Sequence, residues 1–259
     1  FDCVAPVHCS APAAVYLRTP PPLQGPVQIS PEPSTETPVA AKPLLPPGVE
    51  NVLVTGLNSR IPNAVPELAI LSTRNSDGRI VVDVKNAMGA TNPHRVWYMA
   101  GNTAIDLTVV PDKDANGIPE IAVLSSRDSD GRQVVEVKNA AGTTLSGTVW
   151  LAAGFTSMQI AGVNDADNNG VPEVVVLSTR DSDGRILVDV KNAAGPTNTN
   201  AIWYSPGFAA RGLAIFDDAD LNGTAEAAVL MIRDSDGRIL VQGRNTAGSS
   251  AQKDYWFSP

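Results

Sequence analysis

Histidine is almost absent from this 259-residue chain: His8 and His94 are the two, and neither recurs in an equivalent place. Cysteine is as scarce, with Cys3 and Cys9 six positions apart near the start. That pair with His8 makes neither a haem-attachment motif nor a zinc quartet. The chain also lacks a Gly-x-Ser-x-Gly elbow and a phosphate-binding glycine loop, so the familiar enzyme signatures are missing and no catalysis is expected. Basic residues number 19 against 27 acidic ones, for a net charge of −8, and they form no stripe; nucleic acid is not an expected partner. No apolar run is long enough to span a bilayer, and no segment carries a sustained helical stripe with caps.

Proline is plentiful but confined. Residues 1–50 hold 12 of the 21 prolines and both cysteines, with few charges. Pro20–Pro22, Pro31–Pro38 and Pro46–Pro47 rule out helix and central strand, leaving a polyproline-like arm of the kind that links or tethers. Fully extended, such an arm reaches roughly 150 Å at about 3.1 Å per residue. Val15–Leu17 and Val27–Ile29 are its only strand-like stretches, and either can add to a sheet edge. Cys3 and Cys9 are a disulfide candidate, closing a small loop or pairing with another chain. The start at Phe1 without Met fits a processed, secreted protein, in which disulfides persist.

The rest of the chain repeats. Glu67, Glu120, Glu173 and Glu226 stand 53 residues apart, as do Trp97, Trp150, Trp203 and Trp256, and Arg74, Arg127, Arg180 and Arg233. Asp77-Gly78-Arg79 returns at Asp130, Asp183 and Asp236. Within the third copy, residues 159–163, 173–177, 186–191 and 202–204 read as strands; Ile186, Val188 and Val190 alternate with Asp189 and Lys191 at period two. The Asp-Gly pair between the second and third strands signals a hairpin. Each copy is thus a four-stranded antiparallel meander. A sheet of this size cannot bury its own faces, and repeats of about 50 residues bury them by stacking round an axis. The expected fold is all-β: a four-bladed β-propeller over 51–259, with blades at about 51–103, 104–156, 157–209 and 210–259, following the extended arm 1–50. An incomplete ring or open stack that needs another copy of itself is the alternative.

Three copies carry one acidic string: Asp112-Lys-Asp114-Ala-Asn116-Gly-Ile118-Pro-Glu120, Asp165-Ala-Asp167-Asn-Asn169-Gly-Val171-Pro-Glu173 and Asp218-Ala-Asp220-Leu-Asn222-Gly-Thr224-Ala-Glu226. Alternate oxygen side chains with a glycine at the turn suit a hard divalent cation, and nine positions are too few for an EF-hand loop. This Asp-x-Asp-x-Asn-Gly-x-x-Glu loop between strands resembles the FG-GAP and VCBS-type repeats of extracellular propellers, to which integrin α heads carry related loops. The resemblance covers 51–259 and implies Ca²⁺ at three sites. It implies ligand sets Asp112, Asp114, Asn116 and Glu120; Asp165, Asp167, Asn169 and Glu173; and Asp218, Asp220, Asn222 and Glu226. The backbone carbonyls of Ile118, Val171 and Thr224 would complete them. This chain has Asn and Glu where the family often has Asp at positions five and nine; losing a charge at position five should weaken binding. The first copy has Ser59, Ile61, Asn63 and Ala64 at the ligand and glycine places and should stay empty. Three Ca²⁺ would bring the formal charge from −8 to −2.

The remaining repeated residues have plainer readings. Each turn arginine is expected to pair with a turn aspartate, at the end of the blade opposite the acidic loop, rather than to form an anion-docking face. The tryptophans are expected to pack between blades rather than to serve as sugar platforms. Lys85, Lys138, Lys191 and Arg244 alternate with strand acids and are expected to face water. Together these features describe a secreted or cell-surface, calcium-stabilised propeller acting as a structural or adhesive module. A filament subunit, tethered through residues 1–50 to a further copy or to another extracellular protein, is the expected form of that role. A lectin-like or protein-binding propeller, or a non-catalytic domain of a larger assembly, are the alternatives.

Overall fold

Sixteen strands and no helix are found among the described residues of the computed structural model, which are 49–57, 67–86, 94–113, 115–142, 145–195, 198–216, 218, 221–248 and 252–257. The chain divides into two units, Phe1–Lys42 and Pro43–Pro259, and every described residue lies in the second. Cys3, Cys9, Val15–Leu17 and Val27–Ile29 lie outside the described residues.

Four antiparallel meanders follow one another. The first comprises β1 (Val49–Leu57), β2 (Glu67–Arg74), β3 (Arg79–Asn86) and β4 (His94–Trp97). The second comprises β5 (Asn102–Val110), β6 (Glu120–Arg127), β7 (Gln133–Asn139) and β8 (Leu145–Trp150). The third is β9 (Phe155–Val163), β10 (Glu173–Arg180), β11 (Ile186–Asn192) and β12 (Asn198–Trp203), and the fourth β13 (Phe208–Phe216), β14 (Glu226–Arg233), β15 (Ile239–Asn245) and β16 (Gln252–Phe257). The first strands of the later sheets begin at 102, 155 and 208, a little ahead of the expected blade starts at 104, 157 and 210. A bulge recurs in each of those strands, as between Ala104 and Asp106, and sharpens the local twist.

The sheets pack face on face in chain order. Leu71, Val82 and Tyr98 of the first sheet meet Leu107, Ile121 and Val123 of the second. Leu124, Val135 and Leu151 of the second meet Ile160, Val174 and Val176 of the third. Leu177, Val188 and Tyr204 of the third meet Ala227, Val229 and Met231 of the fourth. Both faces of an inner sheet are therefore interior, and all seven residues of β11 are buried. The two-residue alternation in β11 sorts side chains between the preceding and following sheet, not between core and water.

Side chains lock neighbouring sheets together at their first strands. Asp106 accepts the Ile160 N–H at 3.0 Å, Thr108 accepts the Gly162 N–H at 3.1 Å, and Gln159 accepts the Leu213 N–H at 2.6 Å. Gly162 allows the closest approach, since a Cβ there would stand 2.1 Å from the Val109 carbonyl oxygen. The sheets do not close into the expected ring: the far face of the fourth sheet is open, with Phe216, Tyr255 and Phe257 exposed.

Two expectations about repeated side chains are corrected. Lys138 is half-buried and Lys191 buried, whereas Lys85, with no sheet before it, is exposed. Lys138 lies 4.9 Å from the Tyr98 ring and donates to the Trp97 carbonyl of the preceding sheet, while buried Glu136 accepts the Met99 N–H at 2.9 Å. The Glu136–Lys138 pair thus joins the second sheet to the first instead of facing water. The tryptophans, in turn, are not wedges between blades. Each caps its own hairpin, as Trp203 does between Arg180 and Arg185, both 5.0 Å from its ring, with Phe155 of the same sheet at 5.9 Å.

Candidate metal centre

The loop between β9 and β10 folds on its own first residue. The Asp165 carboxylate accepts the N–H groups of Asn169 at 2.9 Å and Gly170 at 2.6 Å, which turns the chain back on itself. Asp167 accepts the same Asn169 N–H at 3.1 Å, and the Asn169 side-chain oxygen accepts the Val171 N–H at 2.8 Å. Asn168 and Gly170 both take left-handed backbone, at φ 58° and 85°. Asparagine tolerates that region and glycine pays no steric cost there.

Glu173 opens β10 directly beneath this turn and is wholly buried. Its Oε2 accepts the Ala166 N–H at 2.6 Å, but its Oε1 is buried with no hydrogen-bond partner. Carboxylate oxygens of Asp165, Asp167 and Glu173 all lie within 4.8 Å of one another, a cluster that can hold a metal ion. Burial, reinforced by repulsion from Asp167 and Asp165 and opposed by the Ala166 N–H, pushes the Glu173 carboxyl up to about 7. For Asp165 burial acts in the same direction, but hydrogen bonds from Gly170 and Asn169 prevail and hold it below the usual carboxylate range. Three carboxylates therefore converge where one oxygen has nothing to bind, and a cation is what such a site accepts.

The other two loops repeat the frame. Asp112 accepts N–H groups from Asn116 at 3.2 Å and Gly117 at 2.5 Å; Asn116 accepts the Ile118 N–H at 2.8 Å, and buried Glu120 the Lys113 N–H at 2.8 Å. Asp218 accepts from Asn222 at 2.9 Å and Gly223 at 2.6 Å, Asn222 accepts the Thr224 N–H at 3.0 Å, and Glu226 is buried. Asp114 and Asp220 lie outside the described residues, as do Ser59, Ile61, Asn63 and Ala64 of the first copy. Glu67 is described and half-buried at the start of β2.

Several repeated roles escape a reading of residue types. The fourth loop position is left-handed in all three copies, including Ala115 at φ 56° and Leu221 at φ 60°. Asn139, Asn192 and Asn245 end the third strands and turn their side-chain oxygens to the N–H groups of Ala141, Ala194 and Ala247 at 2.7–2.8 Å. Their 53-residue recurrence was the available signal. At the hairpins the turn arginines do fork onto the turn aspartates, as Arg180 does onto Asp183 and Arg127 onto Asp130. Those Arg hydrogen bonds, with help from the N–H of the second Arg, bring each Asp down to about 2. The hairpin is longer than a two-residue turn: the Gly184 N–H returns to the Arg180 carbonyl at 2.8 Å, and only the glycine has positive φ.

No family model matches this chain, and no curated protein matches it. Among solved structures, the crystal structure of BBS1N in complex with ARL6DN, soaked with lead, aligns over 75% of this chain and 79% of that chain, at 12% identity and a TM-score of 0.34.

Proposed function

We propose that this chain is a non-catalytic, calcium-stabilised module of the extracellular space, in which the four sheets are propeller blades and residues 1–50 are a tether. The reading is carried by Glu173, whose buried Oε1 has no partner and whose carboxylate clusters with those of Asp165 and Asp167. Oxygen-only ligands on a short loop favour Ca²⁺, which takes six to eight oxygens; Mg²⁺ demands a tighter octahedron and keeps its waters. Asp165, Asp167, Asn169, Glu173 and the Val171 carbonyl would hold one ion. The equivalent sets beginning at Asp112 and Asp218 would hold two more, since both loops share the same frame of N–H groups around the first aspartate.

The role that follows is structural or adhesive. Each ion would pin the loop between the first two strands of a blade, next to the strands that lock one sheet to the next. The arm, too rich in proline for a domain, would reach a further copy or another extracellular protein. Thermal melts in chelator and in millimolar calcium test the reading. The melting temperature should rise by many degrees with calcium; coincident melts would remove calcium from the account.

A further inference from the structure

The fourth sheet exposes a face that its counterparts hide. Phe216, Leu230, Tyr255 and Phe257 are 51%, 38%, 58% and 52% exposed. Their equivalents one repeat earlier, Val163, Leu177, Ile202 and Tyr204, are 6% exposed or less, because they pack on the next sheet. Phe216, Tyr255 and Phe257 line one largely apolar groove with Ala228 and Val241, edged by Glu226 and Lys253. The first sheet has the complementary gap. Leu68 and Ile70 are half-buried, where Ile121 and Val123 of the second sheet and Val174 and Val176 of the third are buried against the sheet before them.

The interior junctions say what fits the groove. In two of the three, the third strand of the following sheet sends a cation over the aromatic residue that ends the preceding sheet: Lys138 over Tyr98 at 4.9 Å, and Arg244 over Tyr204 at 5.1 Å; at the middle junction Leu151 takes the aromatic place. Phe257 stands at the place of Tyr98 and Tyr204, and no cation covers it among the described residues. Lys85 stands at the place of Lys138 and Arg244, exposed, and meets no ring among the described residues. The fourth sheet thus ends in the acceptor half of a junction whose donor half is the first sheet.

We propose that the open face of the fourth sheet receives the open face of the first sheet of a second copy of this chain, so that Lys85 of one copy lies over Phe257 of the other. The contact is heterologous: it closes if the rotation brings the copies round, and otherwise propagates.

The test uses the full chain with Cys3→Ser and Cys9→Ser. Phe257→Cys in one preparation and Lys85→Cys in another are mixed under mild oxidation, and the double variant is oxidised alone at high dilution. The proposal expects a disulfide-linked mixed dimer. Exclusive linkage within single chains of the double variant would show the ring closing on itself, and no linkage with sedimentation as a strict monomer would show the face serving another partner; either overturns it. Phe257→Asp, exposed in one copy, should melt normally yet weaken association about tenfold or more, since burying a phenylalanine is worth about 1.5–3 kcal/mol. Unchanged association of that variant also overturns the proposal. Association without calcium uptake would sink the calcium reading alone, and calcium uptake by a monomer would sink this one alone.

Discussion

Replacing Glu173 by Gln should change stability in opposite directions with and without calcium. The substitution keeps volume and keeps an oxygen for the Ala166 N–H, but removes the charge that meets Asp165 and Asp167. Without metal that charge is a burden. The Glu173 carboxyl titrates at about 7 in the fold, above its ordinary 4.5, so the folded chain holds a proton that the unfolded chain has already released. Stability from that proton is complete below pH 4.5 and is lost as pH rises through about 7. At pH 8 in chelator the native chain bears the loss, roughly 1–2 kcal/mol once water access to the loop is allowed for, and the Gln variant does not. With calcium at a hundredfold excess over Kd, one site contributes about 2.7 kcal/mol. Loss of that contribution lowers the melting temperature by roughly 5–10 °C for a domain of this size. Melts followed by circular dichroism at pH 8 should therefore cross: the variant equal or more stable in chelator, less stable in calcium. A variant equally weakened in both would make Glu173 a packing residue, and one unaffected in calcium would mean the third loop takes no ion.

Other consequences are separable from the metal. The turn carboxylates Asp130 and Asp183, held at about 2 by their arginines, stabilise the fold above the ordinary carboxylate value of 3.8 and cease to do so as pH falls toward 2. Asp183→Asn should thus flatten acid unfolding in that window while leaving calcium affinity unchanged. Leu221, in left-handed backbone at φ 60° and open to solvent, should yield about 1 kcal/mol of stability on replacement by Asn, read from urea midpoints. Gly162→Ala should cost about 1–3 kcal/mol or prevent folding, because its methyl would collide with the Val109 carbonyl; an unchanged midpoint would mean the second and third sheets are not in that contact.

The meander of each repeat was readable because local signals agreed: strands of β-branched residues, an Asp-Gly hairpin, and an acidic loop closed by glutamate. What the chain does between repeats was not. Asp189 and Lys191 look like a solvated face when β11 is read alone, yet the whole strand is buried. Alternation reports that two faces differ, and only stacking decides whether the second meets water or another sheet. Trp203 was legible as a repeated aromatic, but its clamp between Arg180 and Arg185 depends on hairpin geometry that residue spacing does not carry. The candidate site was legible in its residue types, while the left-handed backbone at Ala115, Asn168 and Leu221 was hidden because three different residues share one conformation. Closure was the least legible feature, since it depends on the small angle between neighbouring sheets.

The central claim is that three of the four repeats hold calcium and the first does not. Calcium counted by equilibrium dialysis on the native chain, and again with Glu120, Glu173 and Glu226 each changed to Gln in turn, tests it directly. The account predicts three ions per native chain and two for each variant. Four ions, none, or three that survive every substitution would contradict it.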